Sequence, residues 1–444
     1  MPDDGFVQFN KHIIEYMRGV YVLLLISLFG YAGRVGGQES VTITQCYEWA
    51  RANYPQIHQM GLIDQTERYS LSNVGKAWLP QLSVSGKASY QSDVTKLPFD
   101  GDKISSLLPG FEIPSLSKDQ YQVVAQVDQT IWDGGSARSA RALTRAEATA
   151  NREQLESELY ALNDRVNQLY FGCLLQDELI RQNALLQKEL QVNIERIEAM
   201  MENGVANQSD LESMEVELLN ARQNEIELKA SRTVYRQMLA TFINKPLTDQ
   251  VVLKTPESPE RSLSTQINRP ELRALDAKSE WIETQNKQVT AGLMPRIGAF
   301  VQGGYGRPGL NMLEDSFEPY YVAGVRLSWN LGKLYTLKND RRKIEVSRRQ
   351  IDVQRETFLF NTRLQLLRQN TEIKKMTDLM RADDDIIRLR TSIKQAAEVK
   401  LENGVISVTD LIREINAEDM ARQTAAAHRV QRLMTIYNYM YTTN

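Results

Sequence analysis

The sequence predicts a mainly α-helical chain that carries four short membrane-type β-strands, with the whole plan laid down twice. Three observations predict it. A turn signature recurs at a fixed spacing: Glu202-Asn203-Gly204-Val205 with Asp210-Leu211, then Glu402-Asn403-Gly404-Val405 with Asp410-Leu411, 200 residues apart and without a gap. Four segments alternate strictly between apolar and polar residues, the period of a strand. The stretches between them place apolar residues at heptad spacing over lengths that an ordinary globular interior does not hold.

Composition bounds the rest. The chain has 444 residues and a net charge of −3, so no strong field suggests nucleic acid as a partner. With 13 Pro, long helices are favoured. Cys46 and Cys173 form no metal spacing, and His12, His58 and His428 are scattered, so neither a metal nor a cofactor is expected.

The apolar run Val20 to Phe29 is too short to span a bilayer but fits the core of a secretion signal. Lys11 and Arg18 precede it and small residues follow, which predicts a signal over residues 1–37 with cleavage between about Ala32 and Gln38. Met17 is an alternative start. No Cys sits at that boundary, so no lipid anchor is expected.

The first repeat is read over 38–244. A helix begins at Tyr47, Asn53-Tyr54-Pro55 interrupts it, and a second helix runs to Trp78, ahead of Pro80. Leu82, Val84, Gly86, Ala88 and Tyr90 then alternate with Ser83, Ser85, Lys87 and Ser89. A long loop fills 92–119. Tyr121, Val123, Ala125 and Val127 alternate with Gln122, Gln126 and Asp128 up to Trp132-Asp133-Gly134-Gly135. From Ser136 one helix is expected to 203, about 100 Å at 1.5 Å per residue. It carries a seam at Leu155, Leu159, Leu162, Val166, Leu169 and Cys173. Gly204 supplies the positive φ that reverses the chain, with Ser209 or Asp210 expected as N-cap of the returning helix. A linker spans 245–263.

The second repeat, 264–444, restates the first. Asn268-Arg269-Pro270 matches Asn53-Tyr54-Pro55, and Met294-Pro295 matches Leu79-Pro80. Ile297 to Tyr305 and Tyr321 to Trp329 alternate as before. A helix over 335–403 leads to the second tip, where Thr409 or Asp410 is the expected N-cap.

Strands of about ten residues, apolar on one side and polar on the other, fit an outer-membrane barrel wall. Trp78, Trp132 and Trp329 fall where strands meet helices. Tyr90, Tyr121, Tyr305, Tyr320 and Tyr321 fall where strands meet loops. Two aromatic girdles in outer-membrane lipid are expected. Four strands cannot close a barrel in lipid, so it must be shared between chains. Two chains give eight strands and three give twelve; small polar residues on the inner side (Ser83, Ser85, Gln126, Gly298, Ser328) favour a wet pore and hence a homotrimer. The helices would continue as a coiled-coil tube with six tips in a ring. Asp410 and Asp210 each have two readings, as helix caps or as charges on the bore.

The order of the duplicated tips, the Pro-led strands, Trp132-Asp133-Gly134-Gly135 and Asn268-Arg269-Pro270-Glu271-Leu272 resembles the TolC-type outer-membrane efflux family over about 41–441. The resemblance implies a trimeric twelve-strand barrel continued by a periplasmic α-helical barrel, with an equatorial belt. It implies an efflux or type I secretion channel that docks a periplasmic adaptor and an inner-membrane pump of the RND or ABC type. The tip residues Asn203, Gly204, Val205, Asn403, Gly404 and Val405 would meet the adaptor. Asp410 would fall on the periplasmic aperture. Arg413 replaces a second acidic position there, and Ile406 and Leu401 replace an Arg and a Tyr that hold the tip shut, so the closing network differs.

Competing readings are weaker. Gly304-Tyr305-Gly306-Arg307-Pro308-Gly309 satisfies GxGxxG, but Pro308 and a loop follow where a helix should open. Arg341-Arg342-Lys343 sits on a helix with acidic neighbours, a solvated face. No nucleophile, base and acid set marks an enzyme. The rival class is a non-transporting trimeric coiled-coil surface or adhesive protein.

Overall fold

A computed structural model describes residues 40–95, 116–258, 264–311 and 314–444. The expected secretion signal lies outside the described residues, as do His12 and much of the 92–119 loop. The chain forms two compact units, each drawn from three separate stretches.

One unit holds a four-stranded antiparallel sheet: β2 (Gln81–Tyr90), β3 (Asp119–Trp132), β5 (Arg296–Arg307) and β6 (Glu318–Ser328), in the order β2-β3-β5-β6. Register decides what this sheet can do. Leu82 lies opposite Val127, which lies opposite Val301, which lies opposite Ala323. Val84 follows with Ala125, Gly303 and Tyr321. The next row on that side joins Gly86, Val123 and Tyr305. Because side chains alternate with period two, these rows share one face, and its only charged members, Asp119 and Arg307, lie at the strand ends. The opposite face carries Ser83, Gln126 and Gln302 in one row, and Lys87, Gln122 and Glu318 towards one end.

The apolar face is bare in the single chain: Leu82, Val84, Val325 and Leu327 are two-thirds exposed or more. The outer edges of β2 and β6 have no strand partner among the described residues. No described helix is long and apolar enough to cross a membrane.

Strands and helices meet at glycine corners. Gly134 and Gly135 both take positive φ, at 67° and 84°. A side chain at Gly134 would meet the Met294 Cβ at 2.5 Å and the Pro295 carbonyl at 3.0 Å, so the corner admits no Cβ. Asp133 fixes it, accepting from the Gly135 N–H at 2.9 Å and the Ala137 N–H at 2.5 Å. In the same unit, α3 (Ser136–Tyr160) packs on α2 (Gln59–Lys76) and on α6 (Pro270–Ala291). Arg269 is sandwiched by Tyr160, Tyr441 and Phe358.

The other unit contains α1 (Ile43–Asn53), α4 (Leu162–Glu202), α5 (Gln208–Ile243) and the tip-proximal parts of α7 (Lys333–Glu402) and α8 (Val408–Thr443). It also holds a two-stranded parallel sheet of β1 (Ser40–Val41) and β4 (Val252–Leu253). The buried Tyr170 hydroxyl lies 2.8 Å from the Val41 carbonyl and 2.6 Å from that of Lys254, pinning both short strands to α4.

Three expectations need correction. The first long helix is interrupted: α3 ends at Tyr160, Ala161 is a turn residue, and α4 starts at Leu162. Heptad spacing runs through this point, and apolar periodicity does not report a single-residue change in hydrogen bonding. The second helix ends at Lys76, so Trp78 belongs to the turn before β2 rather than to the helix. Tyr320 leaves the girdle. Its register partner is Gly304, on the polar face, where its ring covers that glycine and its hydroxyl accepts from Gln122.

Candidate functional site

The two tips are built alike. The turn that follows α4 holds Gly204 at φ 73°, and the turn that follows α7 holds Gly404 at φ 68°. At the first, the Gly204 N–H donates to the Met201 carbonyl and the Val205 N–H to that of Met200, both at 2.9 Å. At the second, Gly404 donates to Leu401 at 2.9 Å and Val405 to Lys400 at 2.8 Å. These paired bonds satisfy carbonyls that a helix end leaves open, and they require a left-handed residue at the glycine. The Asn203 side chain donates to the Ala199 carbonyl at 2.8 Å, and Asn403 to that of Val399 at 2.7 Å. Both asparagines therefore close their own helices. Val205 and Val405 are left 57% and 68% exposed.

The returning helices start two or three residues earlier than their acidic residues suggest. The N-caps are Asn207 and Ser407, not Ser209, Asp210, Thr409 or Asp410. Asn207 Oδ1 accepts from the Asp210 N–H at 3.1 Å while Asp210 Oδ2 accepts from the Asn207 N–H at 3.1 Å. Ser407 and Asp410 repeat this at 3.2 and 3.1 Å. Each Asp is thus the third helical residue of a capping box. Bonding to the Ser407 hydroxyl and backbone holds the Asp410 carboxyl below its ordinary range, with Arg413 adding to it. Arg413 Nη1 lies 3.6 Å from Asp410 Oδ1 and its Nε lies 3.3 Å from Glu414.

One hydrophobic cluster joins the two tips. Ile194, Ile197, Met214 and Leu218 of the first hairpin pack with Leu401, Val408, Leu411 and Ile415 of the second. Leu401 and Ile406 both belong to this apolar contact.

A polar cluster beside it was not read from the sequence. Lys394, only 12% exposed, bridges Glu189 of the first hairpin and Glu418 of the second. Its contact with Glu418 Oε2, at 2.7 Å, is an ion contact off the hydrogen-bond axis. Glu418 Oε1 also accepts from Thr391 at 2.6 Å and Arg422 Nε at 2.9 Å. Burial works against both charges, but their partners outweigh it: Lys394 is raised and Glu418 lowered. Next door, burial pushes the Asp419 carboxyl up to about 6, against its bond to Gln423, with Glu189 and Glu418 adding to the rise. Arg390 and Glu414, 3.4 Å apart, add a second link between α7 and α8.

The aromatic residues sort by register. Tyr90, Tyr121, Tyr305 and Tyr321 lie at one end of the sheet, on the apolar face. Trp78, Trp132 and Trp329 lie at the other end. A bulge between Thr130 and Trp132 puts Trp132 opposite Ile297, which swings it onto the apolar face. Trp329 Nε1 donates to the Leu293 carbonyl at 2.9 Å, so its indole is anchored at the corner. No group of three or more metal-binding side chains occurs among the described residues.

Residues 46–245 match the model of the outer membrane efflux protein family. The fold is shared with solved channels of low sequence identity. CusC, whose crystal structures address folding and transmembrane channel formation, is 13% identical, with a TM-score of 0.64 over 90% of this chain and 92% of that one. The outer membrane protein VceC of Vibrio cholerae is 13% identical, with a TM-score of 0.60 over 90% and 95%. The open-state MtrE outer membrane channel of Neisseria gonorrhoeae is 14% identical, with a TM-score of 0.62 over 90% and 88%. No curated protein matches the chain in sequence.

Proposed function

We propose that three copies of this chain form an outer-membrane efflux or type I secretion channel. The observation that carries the reading is the sheet: one face free of charge between its ends, the other polar, and both outer edges unpaired. An open edge in lipid leaves backbone groups unsatisfied, at several kcal/mol each. Joining β6 of one copy to β2 of the next removes that cost, and twelve strands close around a wet bore. The two repeats, 38–244 and 264–444, joined by an equatorial linker over 245–263, would each supply two strands and one hairpin. Tyr and Trp at opposite ends of the sheet would then mark the two membrane interfaces.

The hairpins would carry the bore into the periplasm. Asn203, Gly204, Val205, Asn403, Gly404 and Val405 would present a ring of tips to a periplasmic adaptor, which links the channel to an RND or ABC pump. Val205 and Val405 support this, being exposed apolar groups on turns closed by paired backbone bonds. At the aperture each copy would bring Asp410 already paired with Arg413, so the ring carries neutralised pairs rather than three lone carboxylates.

The test is mass and conductance together. Detergent-extracted protein should weigh three chains and form discrete pores in planar bilayers, with larger conductance when the tips are loosened. A monodisperse single chain that stays soluble without detergent overturns the reading.

A further inference from the structure

Beside the β1–β4 sheet, in the same unit, lies a cavity of about 600 Å³. Its floor is apolar, formed by Leu174, Val251, Leu253, Met380 and Leu433. Its rim carries five arginines, and three of them are claimed. Arg181 pairs with Glu178 at 2.5 Å. Arg232 spans Asp177 at 2.5 Å and Asp249 at 2.6 Å. Arg236, 4% exposed, donates to the carbonyls of Thr248 and Val251 at 2.6 and 2.7 Å, and its buried Nε has no partner.

Arg429 and Arg432 are different. They stand three residues apart on one face of α8. Arg432 donates its Nε to the Thr377 hydroxyl at 3.1 Å. Neither has a carboxylate within 4 Å among the described residues. Glu178, the carboxylate that feels Arg429, is already held by Arg181 and Gln182. Two guanidiniums with no carboxylate in contact, set over an apolar floor, leave room for an anion.

We propose that this cavity binds an amphiphilic anion. A carboxylate or phosphate head would sit between Arg429 and Arg432, whose planar forks suit either group. An apolar tail would lie along Met380, Leu433 and the β4 strand. A soluble polyanion would leave that floor wet, and a neutral lipid would leave the arginines unpaired. The inference concerns one unit of a single chain and does not depend on the channel reading.

The test uses the full chain in phosphatidylcholine nanodiscs with a diazirine-tagged palmitate as photoprobe. Cross-links should map to peptides containing Met380 and Val251–Leu253. Laurate and dodecyl phosphate should compete, the stronger of the two identifying the head group, while dodecanol at equal concentration should not. Arg429→Gln/Arg432→Gln should lower labelling at least tenfold, and Arg429→Lys/Arg432→Lys should keep a third or more. Absent labelling at these peptides, equal competition by dodecanol, or unchanged labelling of the glutamine variant each overturns the proposal. The competition arm uses the unaltered chain, so it stands even where a variant fails to fold.

Discussion

Replacing Lys394 by Met keeps the length and apolar stem of the side chain and removes its charge. Glu189, 30% exposed, regains water, so its loss of the ammonium costs little, within ~1 kcal/mol. Glu418 is the sensitive partner: its side chain is 4% exposed and cannot rehydrate. A buried charge stripped of its counter-ion costs about 3–5 kcal/mol. Here Thr391 and Arg422 continue to bond the other carboxylate oxygen, so only one charged contact is lost, worth about 1.5–3 kcal/mol. A value near 2 kcal/mol corresponds to roughly thirtyfold faster hydrogen exchange where local opening limits it. The assay is exchange on the assembled protein, read in peptides over 186–202 and 390–415, at neutral pH. Acceleration should be confined to these peptides and leave the sheet unchanged. In a double-mutant cycle, Lys394→Met with Glu418→Gln should cost less than the sum of the two. Exchange unchanged within threefold, or strict additivity, would refute the idea that this ion cluster ties the hairpins together.

Asp419→Asn tests the neighbouring carboxyl. Its pKa is raised in the folded protein, so the folded state binds more protons than the unfolded one, and stability is lost as pH rises from about 4 through about 6. The Asn variant should lack that slope and be more stable at pH 7 by about 3 kcal/mol, measured by exchange at the tips across pH 4–7.5. Gly404→Val leaves open space around the new side chain but forces a β-branched residue to φ 68°. It should loosen the second tip by about 2 kcal/mol, read as faster hydrogen exchange in peptides over 398–410; on the proposed channel reading it should also weaken adaptor docking while trimers persist. Val84→Lys on the bare sheet face should cost about 2–4 kcal/mol per copy in lipid. It should cut the membrane-inserted fraction, whereas Ser83→Lys on the polar face should not.

Much of the fold was legible because its signals are local and repeated. Alternation in Leu82–Tyr90 and Ile297–Tyr305 needs only a period of two. A helix reversal at Asn-Gly needs only four residues, and the second copy confirms the first. What escaped was set by distance or by competition between neighbours. Asn207 and Ser407 were passed over because the acidic residue three positions on gives an equally valid capping signal alone, and only the reciprocal bond distinguishes cap from third residue. Tyr320 and Tyr321 are adjacent, and parity, not chemistry, decides which meets lipid. Lys394, Glu189 and Glu418 lie on three helices, and no periodicity relates their positions. The two-residue strands β1 and β4 are too short to carry any pattern.

The equal spacing of the two tips acts as a ruler. Loops between strands can differ in length, as do the 28 residues between β2 and β3 and the 10 between β5 and β6, because their ends stay fixed by the sheet. A hairpin has no such freedom. Deleting one residue from α4 alone would draw its end back by about 1.5 Å and turn it by about 100°. Met200 and Met201 would then face away from Leu401 and Val408. Change of length in this chain is therefore confined to the loops between strands, and the long helices can be altered only in matched register.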